Sequence, residues 1–255
     1  MRLHTRTWGD GPRLIALIHG FSDDGSTWWR LGPDLASHGY TVIAPDLRGH
    51  GESPRAQRYL LSDLAADLVA TLPRSLDFVL GHSLGALALG LAAPSLDAAT
   101  YVFVDPPWTR SLMELALPAW APASSETVLA LHPGWSAEDV ICDVDSNALL
   151  DPAVPRGLAD SVRLGESIPI PTLRAAAASG SNVASIVDTA SEGVVMVPAN
   201  DAALPLTAQA AVGALGYRLV TVPHSGHVIH RDNYSGFLNH LHDDVLNELD
   251  ARIAT

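Results

Sequence analysis

Gly81-His82-Ser83-Leu84-Gly85 is the stretch in which residue type and spacing most clearly allow chemistry. A serine hydroxyl is a weak nucleophile by itself. It becomes useful when an imidazole takes its proton and a carboxylate holds that imidazole in the right tautomer. The chain offers His227, in Ser225-Gly226-His227, with His224 and His230 three residues to either side. It offers carboxylates at Asp46, Asp105 and Asp201. A serine, a histidine and an aspartate brought together in this way would perform acyl transfer, with attack by Ser83 on a carbonyl carbon.

Whether they meet depends on the elements that carry them. Phe78 to Leu80 is apolar, and so is Ala86 to Ala93, which predicts strand, sharp turn and helix with Ser83 at the turn. Glycines two positions on either side remove the Cβ atoms that would clash there. The N–H after the serine lies in the first helical turn, where the helix does not use it, and can stabilise an oxyanion. Leu14 to Ile18, Thr41 to Ala44, Tyr101 to Val104, Val194 to Val197 and Arg218 to Val222 are further strand-like runs. Helical stripes separate them at Trp28 to Ser37, Arg58 to Leu72 and Leu206 to Leu215, and a final helix runs from about Tyr234 to Ile253. Such alternation predicts an α/β fold, a mostly parallel central sheet flanked by helices. Sites in parallel sheets form at the carboxyl ends of the strands. Those ends carry His19-Gly20-Phe21, Asp46, Ser83, Asp105, Asn200-Asp201 and His224 to His227.

The alternation stops between Pro106 and about Ala190, where helical patches at 111–117, 124–131, 136–147 and 151–162 are punctuated by prolines. Ser136-Ala-Glu-Asp139 has the form of a helix-capping box. The expected organisation is a core domain of residues 1–105 and 191–255, with a helical cap, or lid, of residues 106–190 inserted into it. Trp28, His82, Trp108 and Trp135 are candidates for the substrate pocket, and Asp46 to Ser53 reads as a structural turn.

Composition narrows the classes. The net charge of −13 argues against nucleic acid or an anionic membrane as partner. All 15 basic residues are arginine, so lysine Schiff-base chemistry, lysine-bound pyridoxal phosphate and a P-loop are excluded. A single cysteine, Cys142, permits no intrachain disulfide and suits a reducing cytosol. The first eight residues lack the apolar core of a signal peptide, and a cytoplasmic protein is expected, monomer or homodimer, acting on a small molecule without a cofactor. His224, His227 and His230 would need a helix to converge on a metal, whereas a loop is expected there, so no metal is expected.

Taken together, His19-Gly20-Phe21 with Trp28, Asp46-Leu-Arg-Gly-His-Gly-Glu-Ser53, Gly81-His-Ser-Leu-Gly85, Asn200-Asp201 with Pro205, and Ser225-Gly-His227 resemble the α/β-hydrolase superfamily over essentially the whole length. The resemblance implies Ser83 as nucleophile, His227 as base and Asp201 as acid, in the superfamily's chain order. It implies an oxyanion hole from the N–H groups of Phe21 and Leu84. Pro-Ala-Asn-Asp departs from the more usual Gly-x-x-Asp, and the superfamily also places its acid after the preceding strand, which makes Asp105 the alternative. A serine hydrolase of a small to medium apolar ester or lactone is the reading adopted. Carbon–carbon bond hydrolase, thioesterase, amidase and perhydrolase chemistry share the triad, as does a slow-turnover ligand receptor. The serine speaks against epoxide hydrolases and haloalkane dehalogenases, which use aspartate at this position.

Overall fold

The computed structural model describes residues 1–108, 121–164 and 193–251, apart from 201, 205, 215, 248 and 250. Seven strands form one sheet in the order β1-β3-β2-β4-β5-β6-β7. They are β1 (Thr5–Trp8), β2 (Arg13–Ile18), β3 (Tyr40–Pro45), β4 (Ser75–His82), β5 (Asp97–Val104), β6 (Val194–Pro198) and β7 (Arg218–Val222). All neighbours pair in parallel except β1, which runs antiparallel to β3. That four-residue edge strand has no apolar run, so the hydrophobic pattern that marks the other six strands passes over it.

The continuous apolar runs follow from burial on both faces. With a period of two, Ile15, Leu17, Phe78, Leu80, Val102, Val104, Val194 and Met196 face one side. Ala16, Ile18, Val79, Tyr101, Phe103, Val195 and Val197 face the other. On the first side pack α1 (Leu31–Ser37) and the C-terminal helices, through Trp28, Leu31, Leu35, Phe237 and Leu241. On the second pack α2 (Leu61–Thr71) and α3 (Leu84–Ala92), through Leu61, Leu64, Leu68, Leu84 and Leu87. Pro33 falls in the first turn of α1, where its missing N–H would have had no helical acceptor.

Between β5 and β6 the described residues hold three helices, α4 (Ser125–Leu131), α5 (Ala137–Leu149) and α6 (Val154–Arg163), and no strand. Ser136 and Asp139 cap α5 reciprocally, as their spacing predicts. The helical patch at 111–117 lies outside the described residues. After α7 (Leu206–Ala214) and the short α8 (Ile229–Asp232), the final helix begins at Tyr234 as expected: α9 (Tyr234–Leu241) runs on through a π-type turn over His242–Leu246, and the described residues 247, 249 and 251 are helical. The wide turn keeps Leu241, Val245, Leu246 and Leu249 on the buried side. No helix among the described residues is long and apolar enough to cross a membrane.

Candidate active site

β4, in the middle of the sheet, delivers Ser83 directly into α3. Ser83 adopts φ 49° and ψ −113°, a left-handed conformation that side chains rarely take. The two flanking glycines make it possible. A Cβ on Gly85 would lie 2.5 Å from the His19 carbonyl oxygen, and one on Gly81 would lie 2.7 Å from that of Gly85. The turn is tied to the next strand, since the Ser83 N–H donates to the Val104 carbonyl at 3.0 Å.

The loop after β7 brings His227 over this turn. Ser83 Oγ lies 2.9 Å from His227 Nε2, and His227 Nδ1 lies 2.5 Å from Asp105 Oδ2. The carboxylate fixes the proton on Nδ1, so Nε2 presents a lone pair to the serine hydroxyl. Asp105 is fully buried at the end of β5, with φ 41°. Both of its oxygens also accept from the Ala203 N–H, at 2.9 and 3.1 Å.

Of the two acids that the sequence offers, the one on His227 Nδ1 is Asp105, the alternative to Asp201. The loop after β6 approaches with a backbone donor, Ala203, that orients the carboxylate already there. Asp201 itself lies outside the described residues.

A cavity of about 250 Å³ opens over the serine, lined by Phe21, Ser22, Asp23, His82, Ser83, Leu84, Asp143, Leu158, His227 and Val228. Phe21 and Leu84, whose N–H groups were expected to form an oxyanion hole, are both at its wall. Leu84 is the first residue of α3, so its N–H has no acceptor within the helix. α5 contributes Asp143 and α6 contributes Leu158 to this lining.

Three of the four pocket candidates are elsewhere. Trp28 is fully buried in the core, its ring 4.5 Å from that of His230. Trp108 packs against Phe103 and Tyr217. Trp135 fills a small cluster with Val128 and Val140, and its indole N–H donates to Asp232 at 2.7 Å. Large aromatic side chains supply core area first, and these three do so. Only His82 lines the cavity. Its Nε2–H donates to the His227 carbonyl at 2.9 Å, so the residue before the serine holds the loop that carries His227.

The other histidines are structural. His19 donates from Nδ1 to the Gly20 carbonyl and accepts the Leu47 N–H at Nε2. His230 bonds Thr27, and His224 lies in the loop with φ 52°. Asp46 organises the turn expected of it, accepting from Gly25, Glu52 and His4.

Burial, with nearby positive charge adding to it, pushes His50 and His82 down to about 3 and His230 well below its ordinary value. In the unfolded chain these groups take up protons near pH 6.5. For His50 and His82 the unfolded state holds more protons between there and about pH 3, and His230 acts in the same direction, so stability present at neutral pH is lost as pH falls. The expected loss is about 1.4 kcal/mol per pH unit for each of His50 and His82. Urea midpoints between pH 7 and pH 4.5 test this, and a flat profile would contradict the neutral, buried assignment.

Sequence reading missed Asp23 and Asp143 together with the cation they share. Arg231, with a side chain 1% exposed, donates to Asp23 at 2.8 Å, to Asp143 at 3.2 Å and to the Thr27 hydroxyl at 2.8 Å. Nothing in the spacing linked Asp143 to Arg231. Arg231→Met is expected to lower stability by about 3–5 kcal/mol in urea unfolding, because it strands two carboxylates without a cation. A change below 1 kcal/mol would mean that water already compensates them.

Residues 15–239 match the model of the alpha/beta hydrolase family. A lipase of Mycobacterium tuberculosis is 38% identical over 110 residues, 41% of either chain. An uncharacterised protein of the same organism is 31% identical over 202 residues, 75% of this chain and 58% of the relative. The matched region thus spans about half the length of these curated relatives. Among solved structures, E-2-(acetamidomethylene)succinate hydrolase superposes with a TM-score of 0.76 at 22% identity, covering 95% of this chain and 94% of that one.

Proposed function

Because this chain belongs to the alpha/beta hydrolase family, we propose that it is a serine hydrolase in which Ser83 attacks, His227 carries the proton and Asp105 orients His227. The observation that carries the reading is the continuous line from Ser83 Oγ through His227 to Asp105, at 2.9 and 2.5 Å, at the floor of a cavity.

The chemistry follows in two halves. Nε2 accepts the hydroxyl proton as Oγ bonds to the carbonyl carbon, and the N–H groups of Phe21 and Leu84 receive the oxyanion. The imidazolium then donates that proton to the leaving oxygen as the carbon–oxygen bond breaks, which leaves an acyl-serine. A water deprotonated by His227 attacks the acyl carbon and releases the acid, and the proton returns to Oγ.

A cavity of about 250 Å³ fits a small to medium ester or lactone. Phe21, Leu84, Leu158 and Val228 give the acyl chain an apolar surface. Turnover across a series of esters, lactones and thioesters of increasing chain length tests the reading, with Ser83→Ala as the blank. Short oxygen esters and lactones are expected to turn over fastest. A protein that cleaves only thioesters or amides would overturn the bond assignment while keeping the nucleophile.

A further inference from the structure

The cavity lining carries two carboxylates among apolar side chains, and the geometry points to a substrate that carries a primary ammonium group at the end of a short aliphatic chain, received by Asp23 and Asp143. This inference rests on the serine-hydrolase reading above and names the class of substrate for that site.

Asp23 and Asp143 both line the cavity that holds Ser83. The charge near them is uneven: two carboxylates share one guanidinium, Arg231. No arginine lines the cavity among the described residues, and the chain has no lysine at all. Asp23 is only 6% exposed, yet its contact with Arg231 uses Oδ1, and Oδ2 accepts no bond from any described residue. Asp143 bonds Arg231 through Oδ1, while its Oδ2 has only a long contact of 3.3 Å with Asn147. Burial and the charge of Asp23 together push the Asp143 carboxyl up. An incoming cation would supply the second positive charge that the two carboxylates lack and a donor within reach of their less occupied oxygens, Asp23 Oδ2 and Asp143 Oδ2, which Arg231 does not bond although its Nε is unpartnered. An incoming carboxylate would meet like charge and no free cation. The remaining lining is Phe21, Leu84, Leu158 and Val228, which suits methylene groups between the ammonium and the scissile carbonyl.

Three esters of equal chain length separate the possibilities: ethyl 6-aminohexanoate, ethyl heptanoate and monoethyl pimelate, compared as kcat/KM at pH 7.5. The ammonium ester is expected to exceed the neutral one by about tenfold and the carboxylate ester by about a hundredfold. Asp143→Asn and Asp23→Asn should each compress those ratios. Either variant disturbs the Arg231 network and can fail to fold, so the wild-type ranking is decisive by itself. A neutral ester at or above the ammonium ester overturns the proposal. If the protein cleaves none of the three, calorimetric titration of the wild type with hexylammonium and with hexanoate still decides. Saturable binding of hexylammonium alone would uphold the acidic wall and indict the ester-hydrolase reading. Equal binding of both ions, or of neither, would overturn the acidic wall.

Discussion

Ser83→Ala is expected to reduce kcat by about 10⁵-fold or more while the protein stays folded. The hydroxyl is the atom to which His227 Nε2 is hydrogen-bonded, and no other serine among the described residues bonds that imidazole. Alanine tolerates the position as serine does: both carry a Cβ, so the cost of holding φ at 49° is common to the two. Folding stability should therefore change by less than about 1 kcal/mol, the range usual for losing one hydrogen bond. A fluorophosphonate should add once to the wild type and not at all to the variant, read by intact mass. Labelling that persists after the substitution would place the nucleophile elsewhere.

Asp105→Asn is expected to cost about 10⁴ in turnover. Asparagine can keep the Ala203 N–H on its carbonyl oxygen, so the shape of the site should survive. Its amide then faces Nδ1 as a donor, which drives the imidazole proton to Nε2 and away from the role of base. The imidazolium also loses its counter-ion. Asp201→Asn, by contrast, should stay within about tenfold of wild type, since the single acceptor on Nδ1 is already supplied by Asp105. Circular dichroism on both variants separates lost chemistry from lost fold. The opposite ranking would transfer the role of acid to Asp201.

Ser83 and His227 were legible in the sequence because local pattern determines them. Two glycines at fixed offsets, a strand before and a helix after leave one conformation for the serine, and a short loop after the last strand delivers the histidine. The acid was not legible, since the choice depends on how two adjacent strand ends lie relative to a third loop. β5 and β6 pair in register at Val104 and Met196, and the Asp105 N–H donates to the Met196 carbonyl. Two adjacent strands thus end at one edge of the sheet, each followed in the sequence by an aspartate, and chain order favoured Asp201 where the acceptor on His227 Nδ1 is Asp105. The tryptophans were misplaced for a different reason. Hydrophobicity says that Trp28, Trp108 and Trp135 are covered, and it does not say whether protein or ligand covers them. The acidic wall was invisible because Asp23, Asp143 and Arg231 come from three distant stretches, united only when α5 folds over the loop after β2.

The pairing of β5 with β6 has an evolutionary consequence. Neighbouring strands lie only about 4.8 Å apart and Val194 pairs with Val102, three residues before Asp105, so the chain that leaves after Asp105 re-enters the sheet at β6 about 11 Å away. Closing such an excursion costs chain entropy that grows only with the logarithm of its length, about 0.6 kcal/mol for each doubling. The segment can thus be lengthened, shortened or exchanged wholesale with little penalty to the sheet beneath. Asp105 sets the boundary of that freedom. It is the last residue fixed by β5 and also the partner of His227, so a graft that preserves the chemistry must begin at Pro106 or later. The segment between Asp105 and β6, including Asp143 and Leu158 at the cavity wall, can diverge as a unit, so the lining of the cavity can change by recombination while the hydrogen-bonded line Ser83–His227–Asp105 is inherited intact.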